Sequence, residues 1–219
     1  EDINGAAFMM EGNDLAAGKV GDNFISGGLG DDRLYGDGLG LINQNGGDDY
    51  LSGGAGNDRL YGEAGSMTNA LGGNDTLSGG SGNDRFIYHL GAGSANQGVD
   101  HILDFERVGT ATPDLITFFG TSGAFASLND LLSNLSFSIS NNHIVMTLSN
   151  GTVVHFDNLL ASAINLPTTL QIEYADAVLG LQTVNIDVYA YDQGNKTFDL
   201  SRPSFFVGGD DLVKGWADT

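Results

Sequence analysis

The sequence predicts an all-β chain in two parts. Stacked nine-residue repeats run over residues 9–87 behind a short lead-in at 1–8, and an antiparallel β-rich cap with short helices follows over 88–219. Three observations predict this. About 21 of the 34 glycines fall between Met9 and Ile87. Within that stretch an apolar residue returns at a nine-residue interval. Beyond Tyr88 the pattern turns to strand-like alternation, with an Asn150-Gly151 turn between two apolar runs. Collagen does not explain the glycines, because they do not recur every third residue and there are only 3 prolines. A flexible linker would not hold an apolar residue in register.

The clearest units are Gly27 to Tyr35, Gly53 to Tyr61 and Gly79 to Ile87, all reading Gly-Gly-x-Gly-x-Asp-x-apolar-x. Earlier units are weaker. Gly18 to Ser26 keeps Gly21 and Ile25 but has Asn23 at the aspartate position, and Met9 to Ala17 keeps Gly12, Asp14 and Ala16. Glycines permit the positive φ of a tight turn and let backbone carbonyls face inward, while one carboxylate per turn adds a charged oxygen. Hard oxygen donors on a flexible turn suit calcium better than magnesium, which demands a near-ideal octahedron and keeps its water. The eighth residue of each unit, Leu34, Leu51, Leu60, Leu77 or Phe86, is expected on a short strand facing the interior.

This pattern resembles the calcium-binding repeats of the RTX (repeats-in-toxin) family of secreted bacterial proteins. The resemblance covers Met9 to about Phe118, and implies an N-terminal parallel β-roll in which one coil takes two units. Gly36 to Ser52 and Gly62 to Ser78 are each 17 residues long, a nonapeptide with eight extra residues. Both long units then fall on one edge, and the chain gains a 26-residue period from Asp32 to Asp58 to Asp84 and from Asp49 to Asp75. One edge is plain, and the other carries two loops around Leu39–Asn43 and Ser66–Ala70. These loops are either tolerated decoration or a partner surface.

With an ion between stacked turns, the plain edge offers the pairs Asp14/Asp32, Asp32/Asp58 and Asp58/Asp84, and the looped edge offers Asn23/Asp49 and Asp49/Asp75. The expectation is about five calcium ions. Carbonyl-bearing turns at Gly28, Gly30, Gly47, Gly54, Gly56, Gly73, Gly80 and Gly82 complete the ligand set. Asp58 belongs to two pairs and Asp84 ends its row. Asp100 and Asp104, of equal strand parity in a segment resembling the one that closes such rolls, are expected to hold a last ion or to form an acidic edge in solvent. For the repeat aspartates the alternative is turn capping without an ion.

In the cap, Ser127 with Asp130 reads as the start of a short helix. Ile144 to Phe156 reads as a hairpin about Asn150-Gly151. A two-residue turn pairs Met146 with His155 and sends His143 to the other face, so these histidines would not share a metal. His89, His101, His143 and His155 are all expected to be ordinary surface or half-buried residues. Leu170 to Tyr174, Val184 to Tyr191 and Lys196 to Leu200 read as strands, the last two joined across Gln193-Gly194-Asn195. Tyr189 and Tyr191 offer either a carbohydrate-binding face or the plain alternation of a half-buried strand.

Charge narrows the partners. With 28 Asp+Glu against 8 Lys+Arg the net charge is -20, which excludes nucleic acid and favours cations. Without cysteine there is neither disulfide nor thiolate metal site. No apolar run reaches the roughly 18 residues of a membrane span, and the acidic start Glu1-Asp2-Ile3-Asn4 is not a cleavable signal peptide. The absence of an initiator Met suggests a processed chain or an excised fragment. The RTX resemblance implies export through type I secretion machinery under an uncleaved C-terminal signal, for which Phe205 to Thr219 is the candidate. Neither a His-Glu-x-x-His motif nor a Gly-x-Ser-x-Gly elbow occurs, so no enzyme is expected. The favoured reading is a calcium-binding module of a secreted or cell-surface adhesin, surface-layer or toxin-like protein, which folds when it meets extracellular calcium. Its other partner would be a cell-surface or carbohydrate ligand. The alternative is the secretion and folding domain of an extracellular hydrolase or lyase whose catalytic domain lies elsewhere.

Overall fold

Glycine-rich turns and single apolar residues at fixed spacing make strands too short to stand alone, so each must be paired by the coil above and below. The computed structural model describes residues 2–3, 5–38, 45–63, 71–90, 96–120, 125–160, 168–190 and 204–207. The first coils contain β1 (Asp2–Ile3), β2 (Ala6–Phe8), β3 (Leu15–Gly18), β4 (Phe24–Leu29) and β5 (Arg33–Tyr35). The regular repeats add β6 (Tyr50–Ala55), β7 (Arg59–Tyr61), β8 (Thr76–Ser81) and β9 (Arg85–Leu90). Successive strands alternate between two sheets. β1, β3, β5, β7 and β9 lie side by side in one, and β2, β4, β6 and β8 in the other, all parallel. This is the parallel β-roll that the resemblance to RTX repeats implied.

The core follows from the eighth residue. Ala16, Leu34, Leu60 and Phe86 are in register in one sheet, facing Ile25, Leu51 and Leu77 of the other, and all are 0–1% exposed. Each such leucine contributes about 1.5–3 kcal/mol by leaving water.

The boundary of composition near Tyr88 is not a break in hydrogen bonding. β9 crosses it, and both sheets continue through β10 (Val99–Ile102) and β11 (Leu115–Gly120), which pair in parallel with β8 and β9. A short helix α1 (Leu128–Ser133) follows; the Ser127 side chain accepts from Asp130 N–H, and the Asp130 carboxylate accepts from Ala126 N–H. Then come β12 (Leu135–Ser140), β13 (His143–Leu148) and β14 (Val153–Leu160), joined antiparallel, with β14 parallel to β10. β15 (Thr168–Asp176), parallel to β11, pairs antiparallel with β16 (Gly180–Ala190), and β17 (Ser204–Val207) closes that sheet. The fold is all-β, a parallel roll with an antiparallel end, and Ile102, Ile116, Phe156 and Ile172 extend the same core. No helix among the described residues is long and apolar enough to cross a membrane. The loops at 39–43 and 66–70, the strand expected at 196–200, the turn at 193–195, Tyr191 and the last twelve residues of the candidate secretion signal lie outside the described residues, as does the Tyr189 side chain.

The hairpin register differs from the expectation. Val145, not Met146, faces His155, because the loop has three residues, Ser149 to Gly151, closed by Leu148 N–H to Thr152 O at 2.8 Å. Gly151 takes φ +92, the left-handed residue that ends such a loop. The one-residue slip moves His155 to the face that carries Val145 and His143. It also sets His155 beside His101 of β10, with rings stacked at 4.7 Å, while His101 Nδ1 lies 3.0 Å from both carboxylate oxygens of Asp157.

Candidate metal centre

The repeat aspartates stand in two rows, one along each edge of the roll. On the plain edge, Asp14 N–H donates to Asp32 Oδ1, Asp32 N–H to Asp58 Oδ1 and Asp58 N–H to Asp84 Oδ1, each at 2.8 Å. On the looped edge, Asn23 N–H donates to Asp49 Oδ1 at 2.7 Å and Asp49 N–H to Asp75 Oδ1 at 2.9 Å. One carboxylate oxygen per aspartate thus ties its coil to the previous one.

The second oxygen has no such partner. Oδ2 of Asp32, Asp49, Asp58, Asp75 and Asp84 is buried without a hydrogen-bond donor, and these residues are 0–2% exposed. An ionised carboxylate oxygen shut away from water and from donors is costly unless a cation meets it. Each of these oxygens points to the first glycine of its own unit, and at Gly27, Gly36 and Gly53 a carbonyl oxygen of the next coil converges on the same place. A Cβ on Gly53 would collide with Asp58 Oδ2 and lie 2.6 Å from Gly79 O of the next coil; on Gly27 it would collide with Asp32 Oδ2 and lie 2.7 Å from Gly53 O. Gly36 meets Asp49 Oδ2 and Gly62 O in the same way, whereas Gly62 and Gly79 meet the Oδ2 atoms of Asp75 and Asp84 with no carbonyl oxygen among their nearest atoms. A carboxylate oxygen and a carbonyl oxygen brought together beside a hydrogen atom form a cradle of hard donors that fits calcium. The orphaned oxygens and the cradles therefore agree with the donor chemistry read from the sequence.

Comparison with known families matches residues 10–38, 44–66 and 69–94 to the RTX calcium-binding nonapeptide repeat, in four copies. These are RTX calcium-binding repeats. A comparison with curated proteins finds no match. Over residues 10–94 the RTX repeats form a calcium-binding module of a bacterial protein, of a class that is structural and typically non-catalytic.

The ends of the RTX rows are built differently from their middles. Asn23 carries an amide where its neighbours carry an orphaned oxygen: Nδ2 donates to the carbonyls of Lys19 and Gly21, and Oδ1 accepts Gly5 N–H at 3.1 Å. At the far end Asp75 N–H donates to Asp100 Oδ1 at 3.0 Å, so Asp100 continues the looped row. Asp104 is not its partner. It lies beyond β10 and accepts from Ser78 hydroxyl and from Gly79 and Gly80 N–H on the plain edge, so the structure separates the two aspartates that strand parity had paired. Asp84 does not end its row either. Its N–H donates to Asp114 Oδ1 at 2.9 Å, and Asp114 Oδ2 accepts Glu106 N–H at 2.8 Å, leaving no orphaned oxygen at the closing coil.

Three features of the rows lie outside the nonapeptide pattern. Asp114 stands 30 residues after Asp84, outside the 26-residue period. The fifth position of each unit forms an exposed ladder, Asn57 N–H to Asp31 Oδ1 at 2.7 Å and Asn83 N–H to Asn57 Oδ1 at 3.0 Å, which explains the recurrence of Asp or Asn there. Asp37 and Glu63, buried on the looped edge, take the place of the second glycine in the two long units. Of the glycines expected to bear ligand carbonyls, Gly28, Gly30, Gly54, Gly56, Gly80 and Gly82 have positive φ. Gly47 and Gly73 are required because the preceding coil's backbone passes through the space a Cβ would fill.

Burial pushes the row carboxyls upward: Asp84 to about 6, Asp58 and Asp114 to about 7, Asp49 and Asp100 to about 8, and Asp75 to about 9, with neighbouring carboxylates adding to the effect in Asp49, Asp58, Asp75, Asp84 and Asp114. Asp32 is also raised, chiefly by burial. The calcium-free roll is therefore an assembly of carboxyls under pressure to take up protons, and bound calcium supplies the positive charge that lets them ionise in place.

Proposed function

We propose that this chain is the calcium-dependent folding module of a secreted or cell-surface bacterial protein, of adhesin, surface-layer or toxin-like type. The observation that supports it is the set of five orphaned Oδ2 atoms on Asp32, Asp49, Asp58, Asp75 and Asp84, one for each of the five pairs stacked within residues 14–84, hence about five row ions. Each is buried on a carboxylate whose other oxygen already accepts the preceding coil's N–H, and a cation is the partner that an oxygen so placed lacks. Without calcium the rows oppose folding through buried like charges; with it, binding free energy becomes folding free energy. Low cytosolic calcium then leaves the chain unfolded for passage through type I secretion machinery, and external calcium folds it. Because both sheets run from the rows into the antiparallel end, calcium bound between residues 14 and 84 also organises the part of the chain that faces a cell-surface or carbohydrate partner.

The test is a refolding titration. Chain unfolded in urea is diluted into chelator or into millimolar calcium, and its radius of gyration is followed by solution scattering. The reading predicts an expanded chain in chelator that collapses as calcium is added. A chain equally compact in chelator would refute export in an unfolded, calcium-free state.

A further inference from the structure

On the plain edge the second residue of each turn is a glycine, Gly28, Gly54 or Gly80. On the looped edge the same position carries Asp37 and Glu63, at the points where the two long units depart from nine residues. Asp37 is 0% exposed and Glu63 is 3% exposed. By distance and angle neither oxygen of Asp37 nor Oε2 of Glu63 has a hydrogen-bond donor, although Gly47 N–H and the Glu63 carboxyl lie near enough to Asp37 to act on its charge, while Glu63 Oε1 accepts Gly73 N–H. Two carboxylates from successive coils thus bury three oxygens without a donor.

Those oxygens converge. A Cβ on Gly46 would lie 2.6 Å from Glu63 Oε2 and 2.7 Å from Glu63 Oε1, and closer still to Asp37 Oδ2. One point beside Gly46 is therefore within reach of both oxygens of the glutamate and one of the aspartate. Neither belongs to a row: Asp49 and Asp75 turn their orphaned oxygens to Gly36 and Gly62, the residues just before Asp37 and Glu63. Ions in the row cradles leave this second pair of charges to be met by something else.

We propose that Asp37 and Glu63 form a separate calcium site, outside the two aspartate rows, that ties the start of one long unit to the start of the next. The chemistry selects the ion. A bidentate glutamate and an aspartate are hard, anionic oxygen donors, and their burial leaves little room for the water shell that magnesium retains. The plain edge has no counterpart, so the site is specific to the edge that carries the inserts.

The test counts and locates ions in the full chain. Calcium binding is measured by calorimetry for the native protein, for the Asp37→Asn/Glu63→Gln double variant, and for Gly46→Ala, which keeps both carboxylates but places a methyl group among their oxygens. Crystals grown in calcium give the ion positions by anomalous scattering. The native chain should bind one more calcium than either variant and show density between Asp37 and Glu63, while the variants keep the row ions. Equal counts in native protein and variants, or density absent beside Gly46 while the row ions are present, would mean that the two carboxyls share a proton instead. That outcome overturns this site and leaves the row reading intact. A native chain that binds no calcium overturns both. If the double variant fails to fold, Gly46→Ala and the anomalous map still decide.

Discussion

The backbone N–H of Asp58 donates to Oδ1 of Asp84 at 2.8 Å, while Oδ2 of the same Asp84 is buried without a donor. One carboxylate thus has two tasks: one oxygen fixes the stacking of coils and the other awaits a cation. Substitution at a row aspartate separates these tasks.

Asp58→Asn keeps an acceptor for Asp32 N–H and deletes the charge. In saturating calcium it should lower stability by roughly 1–3 kcal/mol, as expected for loss of a buried charged partner. In chelator it should leave stability unchanged or raise it, because the buried charge that burial disfavours is gone. Urea midpoints in both conditions measure the two signs.

Gly53→Ala should remove one ion while sparing the strands. The new methyl group would enter the cradle, against Asp58 Oδ2 and 2.6 Å from Gly79 O. Calorimetric stoichiometry should fall by one. An unchanged count would show that the cradle is not where calcium binds.

The pH dependence should reverse with calcium. Row carboxyls raised from 3.8 to about 6 to 9 mean that the folded, calcium-free chain binds more protons than the unfolded one between those limits. The stability they contribute is complete below about pH 4 and is lost as pH rises through the raised values. In chelator the melting temperature should therefore fall between about pH 5 and pH 9. In calcium the stabilisation should grow over the same range, because only ionised carboxylates hold the ion. Thermal melts across pH, with and without calcium, test both slopes.

Chelation should loosen the antiparallel end together with the repeats. Ile116 pairs with Phe86 on one side and Ile172 on the other, so no seam divides the sheet. Amide exchange at Ile116, Phe156 and Ile172 should accelerate in chelator along with that at Leu60. Protection that persists at the antiparallel end alone would show two independent units.

The roll was legible because its rule is local. A nine-residue unit specifies its own turn, its inward leucine and its acceptor for the next coil, so Leu34, Leu60 and Phe86 could be placed from spacing alone. The ends of the rows were harder to read, because they are set by which coil happens to lie next. Asp114 takes the place after Asp84 through a longer connection, and Asp100 and Asp104 share a strand parity that did not reveal opposite edges. The hairpin failed by one residue, since Asn150-Gly151 also fits the three-residue loop that Ser149 begins, and that slip moved His155 to the face of His143. Asp37 and Glu63 carried a signal, acids where the unit expects glycine, but only burial showed that their charges lie inside the roll.

Whether calcium completes this fold is decided by melting the intact chain in millimolar calcium and in excess chelator, followed by circular dichroism. The expected result is a strongly calcium-dependent transition, with the melting temperature raised by about 10 °C or more, on the order expected for several kcal/mol of linked binding energy. A chain that keeps its strand signal in chelator and melts at the same temperature in both conditions would contradict it.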